Sequence, residues 1–172
     1  QANEILKDSY NLGFLGLTEP VAELELEKRL IEKIKIFMLE LGKGFAYIGN
    51  QFRIEYNGKE YFVDLLFSNR KLNCLVAIDL KIGEFKSEYV GKMNMYLSLL
   101  DKLEKEETEN QSIGIILCAE KDHLDVELAL QDINKPIAVS DYELLVPKNE
   151  LQTLILNEMK QVQITDNDEA EK

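Results

Sequence analysis

Charged residues interrupt two stretches of this chain that otherwise read as buried strands. In Tyr61–Phe67, Asp64 breaks a run of Tyr, Phe, Val, Leu, Leu and Phe. In Leu72–Lys81, Asp79 and Lys81 end a run of Cys, Leu, Val, Ala and Ile, and Asp79 follows Asp64 by fifteen residues. Polar groups inside a strong strand pattern are the informative exceptions to it. Side chains alternate along a strand, so Asp79 and Lys81 share a face with Leu75 and Ala77. If the two runs form a hairpin with a loop at Arg70–Asn73, Asp64 falls opposite Asp79, with Cβ atoms about 4.5–5.5 Å apart. Two carboxylates that close repel each other unless a cation lies between them. Hard oxygen ligands without Cys or His partners suit magnesium or manganese and not zinc. Such an ion lowers the pKa of a bound water and stabilises charge on a phosphoryl oxygen. Lys81 would hold the water or the phosphate. Edge salt bridges from Lys81 to Asp64 or Asp79 are the plainer alternative for any one of these residues. Three charges together in apolar strands favour a site.

A fourth charge comes from a helix. At about 100° per residue, Leu30, Ile31, Ile34, Met38 and Leu41 form one apolar stripe. Glu27 lies near its centre and Glu23 near its edge, whereas Glu25, Glu32 and Glu40 point away. An inward carboxylate is costly without compensation. Glu27 therefore either joins the strand acids or lies past the end of the core and reaches water.

The elements that must position these groups follow from pattern and punctuation. Residues 1–19 read as a lead-in or linker with weak order. One helix runs from Thr18–Pro20 to Leu41 and stops at Gly42. Phe45–Tyr56 and Glu60–Phe67 form a hairpin through Asn57-Gly58, and Leu72–Lys81 is a third strand. A helix covers Ser87–Lys105. Ser112–Cys118 is apolar throughout, as a central strand would be. A short helix at Asp122–Asp132, a brief strand at Pro136–Val139 and an amphipathic helix at Asn149–Val162 complete the domain, which spans residues 20–162. Residues 163–172 read as an acidic disordered tail. The order α-β-β-β-α-β, followed by α-β-α, predicts an α/β fold with a mixed central sheet flanked by helices. The stripe Leu151, Leu154, Ile155 and Met159 suits core packing or a homo-oligomer face.

Composition narrows the functional classes. The 172 residues suit one domain of ordinary size, and 45% hydrophobic residues suffice for a core. No apolar run is long enough to span a membrane. The N-terminus has no signal-peptide pattern and no initiator Met, and reads as that of a fragment or processed chain. Cys74 and Cys118 lie within strand-like runs and are expected as buried thiols in a reducing, cytoplasmic setting. The net charge of −12 argues against a broad basic nucleic-acid footprint, although Lys and Arg are denser between Lys28 and Lys92. There is no nucleophile elbow for Ser112 or Ser140 and no phosphate-binding glycine loop. His123 reads as a surface or capping residue.

A strand Asp, an acid-x-Lys fifteen residues later and a preceding helix Glu resemble the PD-(D/E)XK nuclease superfamily. The segments LELGKGFAYIGNQ, YFVDLLFSNRKLNCLVAIDLKIGEFK and SIGIILCAEKDHLDVELAL resemble the C-terminal nuclease domain of the YhcG-like family, from about Phe14 to Pro147. The resemblance implies a restriction-endonuclease-like core (αβββαβ) and a magnesium-dependent endonuclease acting on DNA. It implies that Glu27, Asp64 and Asp79 hold the metal and Lys81 assists. Val63 stands where the superfamily name has Pro, and Asp79 where Glu is more frequent. Lys92 stands where relatives often have Gln. Gln51, Arg70, Lys71, Lys92 and Tyr96 are the expected nucleic-acid contacts. The resemblance also implies a separate N-terminal domain outside this sequence. The rival readings are a silent nuclease-fold module that binds nucleic acid or protein, and an interaction domain that uses the acidic tail and last helix.

Overall fold

The computed structural model describes residues 5–147, 149 and 155–162. Its centre is a six-stranded sheet in the order β1-β6-β5-β4-β3-β2. The strands are β1 (Ser9–Asn11), β2 (Phe45–Tyr56), β3 (Lys59–Asn69), β4 (Cys74–Leu80), β5 (Ile113–Cys118) and β6 (Ile137–Glu143). β2, β3 and β4 pair antiparallel, while β4, β5, β6 and β1 run parallel, which gives the expected mixed sheet. Every residue of β4 and β5 is buried, as their continuous apolar sequence requires of central strands covered on both faces.

Helices cover the two faces. α1 (Glu23–Glu32) and α2 (Ile34–Leu41) pack Leu26, Leu30, Phe37 and Leu41 against Leu65, Phe67, Val76, Ile78 and Leu80. α3 (Glu88–Leu103) packs Val90, Met93, Tyr96 and Leu97 against Leu66, Leu75, Ala77 and Ile116 on the other face. α4 (His123–Leu130) lies outside the second core, with the Asp122 side chain accepting from the Leu124 and Asp125 amides as its cap. His123 is exposed and Asp122 does the capping.

Four local expectations are corrected. The lead-in contains a strand: β1 pairs with β6, and Tyr10, Leu12 and Leu15 are core residues. The first helix is two helices. Lys33 leaves helical geometry (φ −114°, ψ 37°), and its ammonium donates to the Phe14 carbonyl. The turn this creates carries Phe37 into the core and leaves Met38 at its margin. The first helix also begins at Glu23, beyond Pro20. β6 runs on to Glu143 because β1 pairs beside it and the Ser140 hydroxyl donates to the Lys7 carbonyl. Residues 155–162 are helical and exposed, while 148, 150–154 and the acidic tail lie outside the described residues. Cys74 and Cys118 are buried and free, and burial pushes their thiols up to about 11 and 12.

Candidate active site

The β2–β3 hairpin turns at Asn57 and Gly58, both left-handed (φ 54° and 72°), as a two-residue turn between twisted strands demands. β3 pairs with β2 from Lys59 onward but with β4 only from Leu65, opposite Ile78. One step further in that register sets Asp64 across from Asp79, as the sequence predicted. There the ladder stops: the Leu80 amide donates to Asp64 Oδ2 at 2.8 Å instead of to a β3 carbonyl. The strands part at this point, and the acids stand in the notch.

Asp79 is 3% exposed, and its Oδ2 is buried without a hydrogen-bond partner. Burial, then the neighbouring Asp64 carboxyl and its charge, push the Asp79 carboxyl up to about 7, against the pull of Lys81 and Lys92. A buried acid perturbed this far, with a specific charged partner, is a candidate for a functional group. Lys81 lies just past β4, tied down by its own amide to the Leu117 carbonyl. Its ammonium is 3.8 Å from Asp79 Oδ1 and 4.0 Å from Glu23 Oε1, and 4.8 Å above the Tyr89 ring.

Glu27 arrives from the opposite side of the sheet. Its neighbours Leu26 and Leu30 belong to the core that holds Val76 and Ile78, not to the face of Ala77 and Asp79. Glu27 nevertheless meets the strand acids through an amide. Gln51 Nε2 donates to Glu27 Oε2 at 2.7 Å and to Asp64 Oδ1 at 3.2 Å, while Asn50 Nδ2 donates to Glu27 Oε1 at 3.3 Å. Burial raises the Glu27 carboxyl, these two donors draw it partly back, and Asp64 adds to the rise.

On α3, Lys92 lies 5.6 Å from the Tyr96 ring. Burial pulls its ammonium down, but Tyr96, Asp79 and Asp64 more than offset this and keep it protonated. Lys92 and Tyr96 therefore share the field of the acid pair. Arg70 and Lys71 do not. They occupy the β3–β4 turn, where Asn69 Oδ1 accepts from the Lys71 and Leu72 amides. That turn is five residue pairs from Asp64, roughly 17 Å along the strand. Glu23, Asn50 and Tyr89 escaped the sequence reading. Glu23 had a signal, its place at the edge of the apolar stripe, and the other two had none.

Among the described residues, no three His, Cys, Asp or Glu side chains form a preassembled metal cluster. The donor set still fits a hard cation. Two adjacent carboxylates and an orphaned buried oxygen constitute an electrostatic deficit that such an ion would relieve. A groove of about 490 Å³ lies elsewhere, lined by Asn11, Phe14, Ile36, Leu39, Glu40 and Val146, and of its lining residues only Glu40 is ionisable.

The family model of the YhcG PDDEXK nuclease domain matches residues 3–160. The chain belongs to that family. A relative named "Putative nuclease YhcG", from Escherichia coli (strain K12), is 38% identical over 144 residues, which cover 84% of this chain and 38% of the relative. Among solved structures, an EndoMS–dsDNA complex is similar at TM-score 0.50 and 17% identity, over 77% of this chain and 48% of that one. A repair endonuclease from Pyrococcus abyssi is similar at TM-score 0.47 and 16% identity, over 76% and 50%. The chain thus spans half or less of the length of these relatives. Membership of a PDDEXK nuclease-domain family agrees with the restriction-endonuclease-like α/β core described above. Among the described residues, no helix is long and apolar enough to cross a membrane.

Proposed function

We propose that this domain is a metal-dependent endonuclease acting on DNA. The observation that carries the reading is the buried Asp79, with its orphaned Oδ2, set beside Asp64 and followed by Lys81 at the point where β3 and β4 part. Asp64 and Asp79 would hold magnesium, or manganese, with Glu27 on the far side of the notch. When bound, the ion supplies an activated water and neutralises charge on the phosphate. Lys81 Nζ, seated on the Tyr89 ring, donates to a phosphate oxygen or the attacking water, and its charge favours the more negative transition state. Lys92, beside the same acids, adds a second cation, so the local field at the notch is less negative than the −12 of the whole chain suggests. DNA as substrate draws support from the solved relative bound to double-stranded DNA. Free buried thiols agree with action in the cytoplasm.

A silent module that keeps the fold and only binds is the second reading, favoured by the Gln51 amide standing where the acids would otherwise converge. Cleavage assays separate the two. Alanine at Asp64 or at Lys81 is expected to abolish magnesium-dependent cleavage of DNA and to move the thermal melt by only a few degrees. Retained cleavage in either variant refutes the assignment, and absence of cleavage by the unaltered domain across duplex, branched and single-stranded substrates favours the silent module.

A further inference from the structure

We propose that Gln51 is a positioning residue that joins the helix acid to the strand acids across the edge of the sheet, and not a nucleic-acid contact. The inference rests on the nuclease reading above. Three independent features converge on this side chain. Its single amide nitrogen bridges Glu27 Oε2 and Asp64 Oδ1 at 2.7 and 3.2 Å. Its backbone is left-handed (φ 44°) in the middle of a strand, a conformation rare for residues other than Gly, Asn and Asp. And β2 shifts register between Tyr47 and Gly49. Before the shift, Tyr47 faces Phe67 and the same register would set Asn50 opposite Asp64; after it, Asn50 faces Leu65 and Gln51 takes that place. Bulges gather beside active sites because they re-aim a side chain in this way, and strained backbone persists where the surroundings over-determine it.

The bridge solves a geometric problem set by the fold. α1 packs on one face of the sheet and Asp79 lies on the other, so Glu27 cannot reach the strand acids as a same-face neighbour. An amide long enough to span the edge donates to both carboxylates and fixes the orientation of each. An arginine or lysine there would form a lasting ion pair. An amide donates without a net charge and leaves the acids free for a cation.

The test compares the unaltered domain with Gln51→Asn and Asp79→Ala in thermal melts over a manganese titration without DNA. Asn keeps the amide and accepts a left-handed backbone readily, but is one methylene too short to span both acids. In the unaltered protein manganese raises Tm, and Asp79→Ala loses that rise. In Gln51→Asn the chelated protein still folds, and the manganese midpoint moves to about tenfold higher concentration, about 1.4 kcal/mol. In cleavage assays kcat falls while KM for DNA stays within twofold. A manganese midpoint that does not move overturns the bridge and leaves the nuclease reading standing. A raised KM with an unmoved midpoint also overturns it, in favour of a DNA contact. No manganese response in the unaltered protein overturns the nuclease reading, and this inference with it. Should Gln51→Asn not fold, Gln51→Gly, which suits the left-handed backbone without strain, takes its place with the same expected midpoint.

Discussion

Replacing Asp79 by Asn should make the chelated protein more stable at alkaline pH, although it removes a residue proposed to be essential. Burial and Asp64 push the Asp79 carboxyl from the ordinary 3.8 up to about 7. The fold thus holds a proton there that the unfolded chain has already released. The stability this group contributes is complete below about pH 4 and is lost as pH rises through 7. The gap corresponds to about 4 kcal/mol. Asp79→Asn never ionises and can donate to Asp64, but it gives up the attraction of Lys81 at 3.8 Å. If about half the gain survives, the variant is about 2 kcal/mol more stable at pH 8, a rise of about 4–8 °C in Tm for a domain of this size. The assay is a set of thermal melts in chelator from pH 4 to pH 8. The two proteins should coincide at the acid end and diverge toward pH 8, with the variant above. Magnesium should raise Tm in the unaltered protein alone. A variant that melts at or below the unaltered protein at pH 8 would refute the argument, because the acid pair would then carry no repulsion for an ion to relieve.

Two further outcomes follow from the packing around the site. Tyr89→Leu removes the ring under Lys81 and should lower kcat about three- to tenfold, in keeping with a cation–π contact of about 1 kcal/mol, while Tyr89→Phe stays near the unaltered rate; equal rates in the two variants would refute the role of the ring. Gly114→Ala would bring a Cβ within 2.6 Å of Met93 Cγ and Sδ, and Met93 is fully buried. Denaturant melts should show a loss of about 1–3 kcal/mol, partly recovered by adding Met93→Ala, and additive losses would show that Met93 is not the obstacle.

The parts of the site legible in the sequence were those governed by local rules. Strand alternation and the short turn after Asn69 set Asp64 opposite Asp79, and Asn57-Gly58 announced the other hairpin. What escaped was set by long-range geometry. Helical periodicity finds that Glu27 faces inward but cannot say which face of the sheet α1 covers, so the need for a bridging amide is invisible. The register shift near Ile48 has one marker in the sequence, the isolated Gly49 inside a strand run, but that glycine does not say which side chain the bulge re-aims; without the shift Asn50 would have been the residue aligned with Asp64. β1 is three residues long with a polar residue at each end, so only its partner β6 reveals it. Arg70 and Lys71 read as near the site because they sit between its two strands in sequence, yet a hairpin places its turn at the end remote from the strand tips.

β2 is the outermost strand of the sheet, and at twelve residues it is long for that position. A straight strand of that length at an edge offers a row of unpaired amides and carbonyls to any other chain, the usual opening for strand-by-strand self-association. The bulge near Ile48 and the left-handed residue three positions later break that row in its middle. The kink that seats an amide between two acids also denies a neighbouring molecule a straight template, so solubility and the assembly of the site depend on the same few backbone angles.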